Sequence, residues 1–371
     1  MAPRLTSTSR TSTTSRVLRG LLGLATAVTV AATLAVGAAA PASAATQPPL
    51  KPVLGGLLDR HKAPADSFRG AVDSWVAEAD WAGLQPVASG PITTGNPIDQ
   101  AILDAKQRGV RVKVRVYAGT GAPEWAKRLD GTPVAIIDEY GNTGTVGRFW
   151  TKRFGDAYTQ LQQKLAARYD TTPQIAMVSI SRCTTMFAEP FLRQGRTPES
   201  VTSLLKAGYT ATADELCQRQ QVDAHKAWTR TRSGLSFNPY QRITASGATS
   251  NDVDFAKQMM GYCRDTLGQR CVLENHSIRS TDDQGPLYDQ LYAAIKKLGG
   301  PIGFQTATPD KIGDMGATLK WAVQQGAAHV ELPISYKTDA SPASLVSVNR
   351  QLTTIATAAV AGLRPSRPPS V

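Results

Sequence analysis

The sequence predicts an α/β fold, a single-domain (β/α)8 TIM barrel behind an N-terminal export signal. Three observations carry that expectation. Short apolar runs alternate with helical patterns, as they do in βαβ units with a parallel sheet. Helix boundaries are punctuated by Pro and Gly at regular places. Six of the runs lead into polar residues, at Arg115-Val116-Tyr117, Glu189, Asn238, Asn275-His276, Gln305 and Glu331, the end of the strand where a barrel keeps its functional groups. An open doubly wound sheet is the alternative, and no glycine-rich phosphate loop follows an early strand to support it.

From the N-terminus, Arg4, Arg10, Arg16 and Arg19 stand without any acid before an apolar, small-residue stretch from Leu21 to Ala40 and then Ala42-Ser43-Ala44. This reads as a secretory signal, residues 1–44, cleaved before Ala45. The many Ala, Gly and Thr residues and the A-x-A site favour cleavage over a retained membrane anchor, so a secreted protein free of the membrane is expected. Residues 45–365 suit one barrel with long loops, and 366–371 form a proline-rich tail expected to be disordered. Removing the four leader arginines lowers the formal charge from +12 to +8, which favours an anionic surface such as cell wall or acidic polysaccharide. No basic run is interleaved with aromatics, so nucleic acid is not expected as a partner. The oligomeric state is left open.

Eight strands are expected: Val53 to Leu58, Ala71 to Ala79, Val110 to Ala118, Ile175 to Ser181, Leu235 to Asn238, Cys271 to His276, Ile302 to Ala307 and Ala327 to Ile334. Asn96-Pro97, Thr197-Pro198, Thr308-Pro309 and Ser341-Pro342 each set a capping side chain before a proline, the signature of a helix start. Gly109, Gly299-Gly300 and Gly326 stand where helices stop before the next strand.

The outer face of a parallel barrel packs on helices and must be apolar, whereas the inner face tolerates charge. In His329-Val330-Glu331-Leu332-Pro333-Ile334 this sends Val330, Leu332 and Ile334 outward and turns His329 and Glu331 to the barrel axis. In Arg111 to Tyr117 the three valines face helices, and Lys113, Arg115 and Tyr117 turn inward. An inward carboxylate beside inward cations is the composition of an active site; the alternative is a charge pair that plugs the barrel floor. Four cysteines in an exported chain imply two disulfides. Cys263 closes a helical segment and Cys271 opens the next strand, so they pair most readily, leaving Cys183 with Cys217 across the loop that carries Glu189.

Glu189 lies in Met186-Phe187-Ala188-Glu189-Pro190, after the fourth expected strand, and Trp81-Ala82-Gly83-Leu84-Gln85-Pro86 and Ala122-Pro123-Glu124-Trp125 follow strands two and three. Here the chain resembles the superfamily of (β/α)8 glycoside hydrolases that includes β-galactosidases and cellulases. The resemblance implies hydrolysis of a glycosidic bond in an extracellular poly- or oligosaccharide, with Glu189 as general acid/base. Ala188 stands where the superfamily has Asn, and Gln305 stands where it has a nucleophilic Glu after strand seven. A glutamine amide cannot be that nucleophile. Either the strand count is off by one and Glu331 is the nucleophile, or the arrangement differs.

The expected catalytic pair is therefore Glu189 and Glu331, with Glu274 in reserve. Strands four and eight lie across a barrel, which leaves room for the wide carboxyl separation of an inverting enzyme. Sugar binding is expected from Arg115, Tyr117, Trp81, Trp125, Asn238, Asn275, His276, Gln305 and Tyr336, by hydrogen bonds or by aromatic stacking. The alternation around Glu274 is ambiguous and turns inward either Glu274 with His276 or Asn275. His61, His225, His276 and His329 show no metal-ligand spacing, so neither a metal nor a cofactor is expected. The second functional reading is a catalytically silent barrel that binds glycan.

Overall fold

The computed structural model describes residues 48–280 and 285–360; the expected signal (1–44) and tail (366–371) lie outside the described residues. Eight parallel strands close into a barrel: β1 (Gly56–Asp59), β2 (Ser74–Asp80), β3 (Val112–Tyr117), β4 (Ile175–Ser179), β5 (Arg232–Ser236), β6 (Cys271–Ile278), β7 (Ile302–Thr306) and β8 (His329–Leu332). All eight expected strands are present in the expected order. Closure comes from β8 pairing with β1, Gly56 opposite His329 and Leu58 opposite Glu331. The count is thus not off by one: Gln305 is on β7 and Glu331 on β8.

Helices Pro97–Arg108, Lys152–Tyr169, Ala211–Ala224, Val253–Leu267, Pro286–Leu298, Met315–Gln324 and Pro342–Val360 follow β2 to β8 in turn, while β1 is followed only by the short turn Asp66–Phe68. Asn96 caps its helix as expected, its side chain accepting from the amides of Ile98 and Asp99. Gly109 ends that helix in the left-handed region at φ 68°, a conformation open to glycine at no steric cost. Thr308-Pro309 starts no helix; the helix begins at Met315, where Asp314 accepts from the Ala317 amide. A carboxylate closer to the apolar stripe serves as the better cap.

The outer faces of the strands pack on the helices. Val112, Val114 and Val116 belong to one apolar cluster, and Leu273, Phe304, Val330 and Leu332 to another. Ile334 is the exception: it lies beyond β8 and is 58% exposed, because Pro333 ends the strand before a helix can cover it. Inside, Leu54, Leu58, Val76 and Ala176 form an apolar floor. Charged residues stand above it, and two glycines make the room: a Cβ at Gly234 would strike the Glu274 carboxylate, and one at Gly303 the His329 imidazole.

Cys183 pairs with Cys217 and Cys263 with Cys271, at Cα separations of 6.1 and 5.9 Å. Non-reducing peptide mapping is expected to return these two links, and four free thiols would contradict them. Opening the 34-residue link by replacing both cysteines with serine should cost roughly 3–4 kcal/mol in loop entropy. Among the described residues no helix is long and apolar enough to cross a membrane.

Buried His225 sits between the Tyr158 hydroxyl at 3.1 Å and the Ser233 hydroxyl at 2.9 Å, and burial pushes its pKa down to about 3. Between that value and the ordinary 6.5 the unfolded chain holds a proton that the folded one refuses. Stability from this group is therefore full above pH 6.5 and is lost as pH falls, by up to about 1.4 kcal/mol per pH unit. Denaturant titrations from pH 7 to 5 should show that decline, and a flat profile would contradict it.

Candidate active site

Inside the barrel the strands bring four charged side chains into one stack. Lys113, on β3, donates to Glu274 on β6 at 2.6 Å and to Glu331 on β8 at 2.7 Å, and all three are sealed from solvent. One layer up, Arg115 Nη2 donates to both oxygens of Glu331, at 2.8 and 2.7 Å. His329 completes the lower layer, its Nε2 3.0 Å from Glu274 Oε1. Burial pushes the Glu331 carboxyl up, but the charges of Arg115 and Lys113 outweigh it and hold it well below the usual range. Glu274 is likewise raised by burial, and the Lys113 charge with the neighbouring His276 and His329 imidazoles outweighs that and holds it well below the usual range.

Glu274, His276 and Glu331 offer oxygen and nitrogen atoms within 4.8 Å of one another, a separation that would suit a metal ion. Lys113 and Arg115 already supply the positive charge there, so a divalent cation would bring uncompensated charge into a dry interior. The donor set fits an internal ion-pair network better.

The mouth lies above this stack. Arg115 Nη1 reaches Glu78 Oε1 on β2 at 3.4 Å, and its Nη2 reaches Gln305 Oε1 at 3.2 Å. Glu78 also accepts from the Tyr117 hydroxyl at 2.5 Å and meets His61 Nδ1 at 2.8 Å. Burial raises its pKa, but those two hydrogen bonds and the Arg115 charge bring the balance below the usual value. The sequence offered Glu78 as an inward partner of Arg115 but not as a site residue, and did not single out His61 as one. A signal existed in Val76-Ala77-Glu78-Ala79-Asp80: Ala77 and Ala79 join the outer core and Val76 the floor, which turns Glu78 inward.

Glu189 stands on the loop after β4, its Oε2 accepting from Asn238 Nδ2 at 2.7 Å just beyond β5. Tyr288 donates to Asn238 Oδ1 at 3.3 Å. The loop is anchored on both sides of the glutamate. Cys183 ties it to the helix Ala211–Ala224, and buried Arg193 forks onto Asp214 with two 2.6 Å bonds, where Tyr209 and Tyr240 also donate. Arg60, just after β1, donates to the Thr306 carbonyl and hydroxyl at the end of β7. Burial lowers its pKa, while the charges of Glu331, Glu189 and Glu78 oppose that fall.

The expected site residues divide into two sets. Arg115, Tyr117, Asn238, Gln305, Glu189 and half-buried Trp125 stand at or near the mouth. Trp81 and Tyr336 are wholly buried, Trp81 bonded to Gln85 and Tyr336 to Asp59, so neither ring has a face left for a sugar. Asn275 also serves the fold, its amide on the Phe237 carbonyl at 2.7 Å and its oxygen accepting from Tyr292 at 3.1 Å. His276 faces inward with Glu274, 3.7 Å away, which resolves the ambiguous alternation of β6.

No protein-family model matches the chain, and no curated protein matches it. Among solved structures, XacCel5A superposes with a TM-score of 0.50 at 10% identity, over 81% of this chain and 99% of that one. The catalytic domain of a β-amylase from Paenibacillus polymyxa gives 0.49 at 11%, over 80% and 98%. Endo-glycoceramidase II from Rhodococcus sp. gives 0.45 at 13%, over 78% and 76%. The first of these establishes the shared barrel fold.

Proposed function

We propose that the barrel is a secreted glycoside hydrolase with Glu189 as its general acid/base. The observation that carries the reading is the placement of Glu189: a half-buried carboxyl at the C-terminal mouth, oriented by Asn238 on a loop anchored by a disulfide and a buried ion pair. Such a fixed carboxyl, which shares the field of Arg60 with Glu78 and Glu331, suits protonation of a leaving oxygen and later activation of water. Tyr117, Gln305 and Trp125 are proposed to bind the sugar. The leader and the two disulfides support an extracellular site of action. The basic surplus favours an acidic or cell-wall glycan.

Glu331, the second carboxylate expected from the sequence, is proposed to act from beneath by fixing Arg115. The second functional reading, a silent glycan-binding barrel, is favoured by the amide of Gln305 at the end of β7. A panel of neutral and acidic oligosaccharides separates the two. Release of shorter products supports the hydrolase, while retention of intact glycan, weakened by Trp125→Ala, supports the silent barrel.

A further inference from the structure

We propose that Glu78 is the nucleophile of the reaction, an inference that rests on the glycosidase reading. Of the inward carboxylates, Glu331 and Glu274 are 0% and 1% exposed, whereas the Glu78 side chain is 21% exposed. Both oxygens of Glu331 are taken by Arg115 Nη2, and one also by Lys113. A sugar carbon has no approach to it without dismantling those bonds. Glu78 lies opposite Arg115 in the strand register, and its Oε1 is fixed by Tyr117 and Arg115. Among the described residues its Oε2 meets only His61, whose ring is 45% exposed and can be displaced by a ligand.

The depressed pKa of Glu78 separates two roles. A general base works best with a pKa near the operating pH, while a nucleophile must be ionised and leave readily as a carboxylate. Glu78 fits the second. In the first step Glu78 Oε2 bonds to the anomeric carbon, the bond from that carbon to the leaving oxygen breaks, and Glu189 gives its proton to that oxygen. In the second, water loses a proton to Glu189 and bonds to the anomeric carbon, and the ester bond to Glu78 breaks. The carboxylate and the acid are both restored, and the anomeric configuration is retained.

The test is a panel of fluorinated glycosides with dinitrophenol leaving groups, incubated with the wild-type protein and followed by intact mass and peptide mapping. The expected result is a single adduct on Glu78. An adduct on Glu331 or Glu189 would overturn the assignment while leaving the hydrolase reading in place. An inverted first product from a natural glycan, read by NMR, would do the same. If the wild type turns over a glycan without labelling, Glu78→Gly with sodium azide decides: a glycosyl azide supports Glu78, and its absence overturns it. No adduct together with no turnover on any glycan overturns both readings. Glu78→Gln should lower kcat/KM roughly a thousandfold or more.

Discussion

Glu189→Gln is expected to lower glycan turnover by roughly 10²- to 10⁴-fold, the range a positioned proton donor contributes. The melting temperature should stay nearly unchanged. The substituted amide keeps an oxygen where Asn238 Nδ2 donates, and the loop anchors do not involve the glutamate. What is lost is the proton alone. Activity should therefore fall most for substrates with poor leaving groups, since an activated aryl glycoside needs little protonation. Undiminished turnover of a natural glycan by the variant would remove Glu189 from the mechanism.

Arg115→Met is expected to lower the unfolding free energy by roughly 3–5 kcal/mol, because it strips a buried carboxylate of its main partner. Glu331 would keep only Lys113, which Glu274 already shares. The loss should shrink in acid. In the parent the folded pKa of Glu331 is depressed, so its contribution is present above the ordinary carboxylate range and fades as pH falls toward the folded value. In the variant a neutral Glu331 needs no partner. Arg115→Lys should fold but turn over more slowly, since an ammonium cannot hold Glu331, Gln305 and Glu78 with one planar fork. Urea titrations at pH 7 and pH 4 check both points, and an Arg115→Met protein as stable as the parent would place that side chain in solvent.

The valine alternation of β3 and β8 was enough to turn Lys113, Arg115, His329 and Glu331 to the axis, and all four meet there. It could not give depth. Whether Glu331 is open or sealed depends on side chains from β3, which no local pattern of β8 reports. For that reason Glu331→Gln is expected to lower stability as well as activity. Trp81 and Tyr336 follow strand ends as a sugar platform would, yet the loops fold back and bury them. At β6 the adjacent Val272 and Leu273 left two phases open, and at β5 the polar Arg232-Ser233-Gly234 hid the start of a strand. Glu78 was legible as a partner of Arg115 but not as a site residue, because two alanines make a faint outer face.

Incubation of the protein with a glycan panel in oxygen-18-labelled water, followed by mass spectrometry of the products, tests the hydrolase reading most directly. The expected result is a shortened glycan with one heavy oxygen at its new reducing end, formed by the wild type and not by Glu189→Gln. Glycans recovered bound, intact and unlabelled across the panel would contradict it.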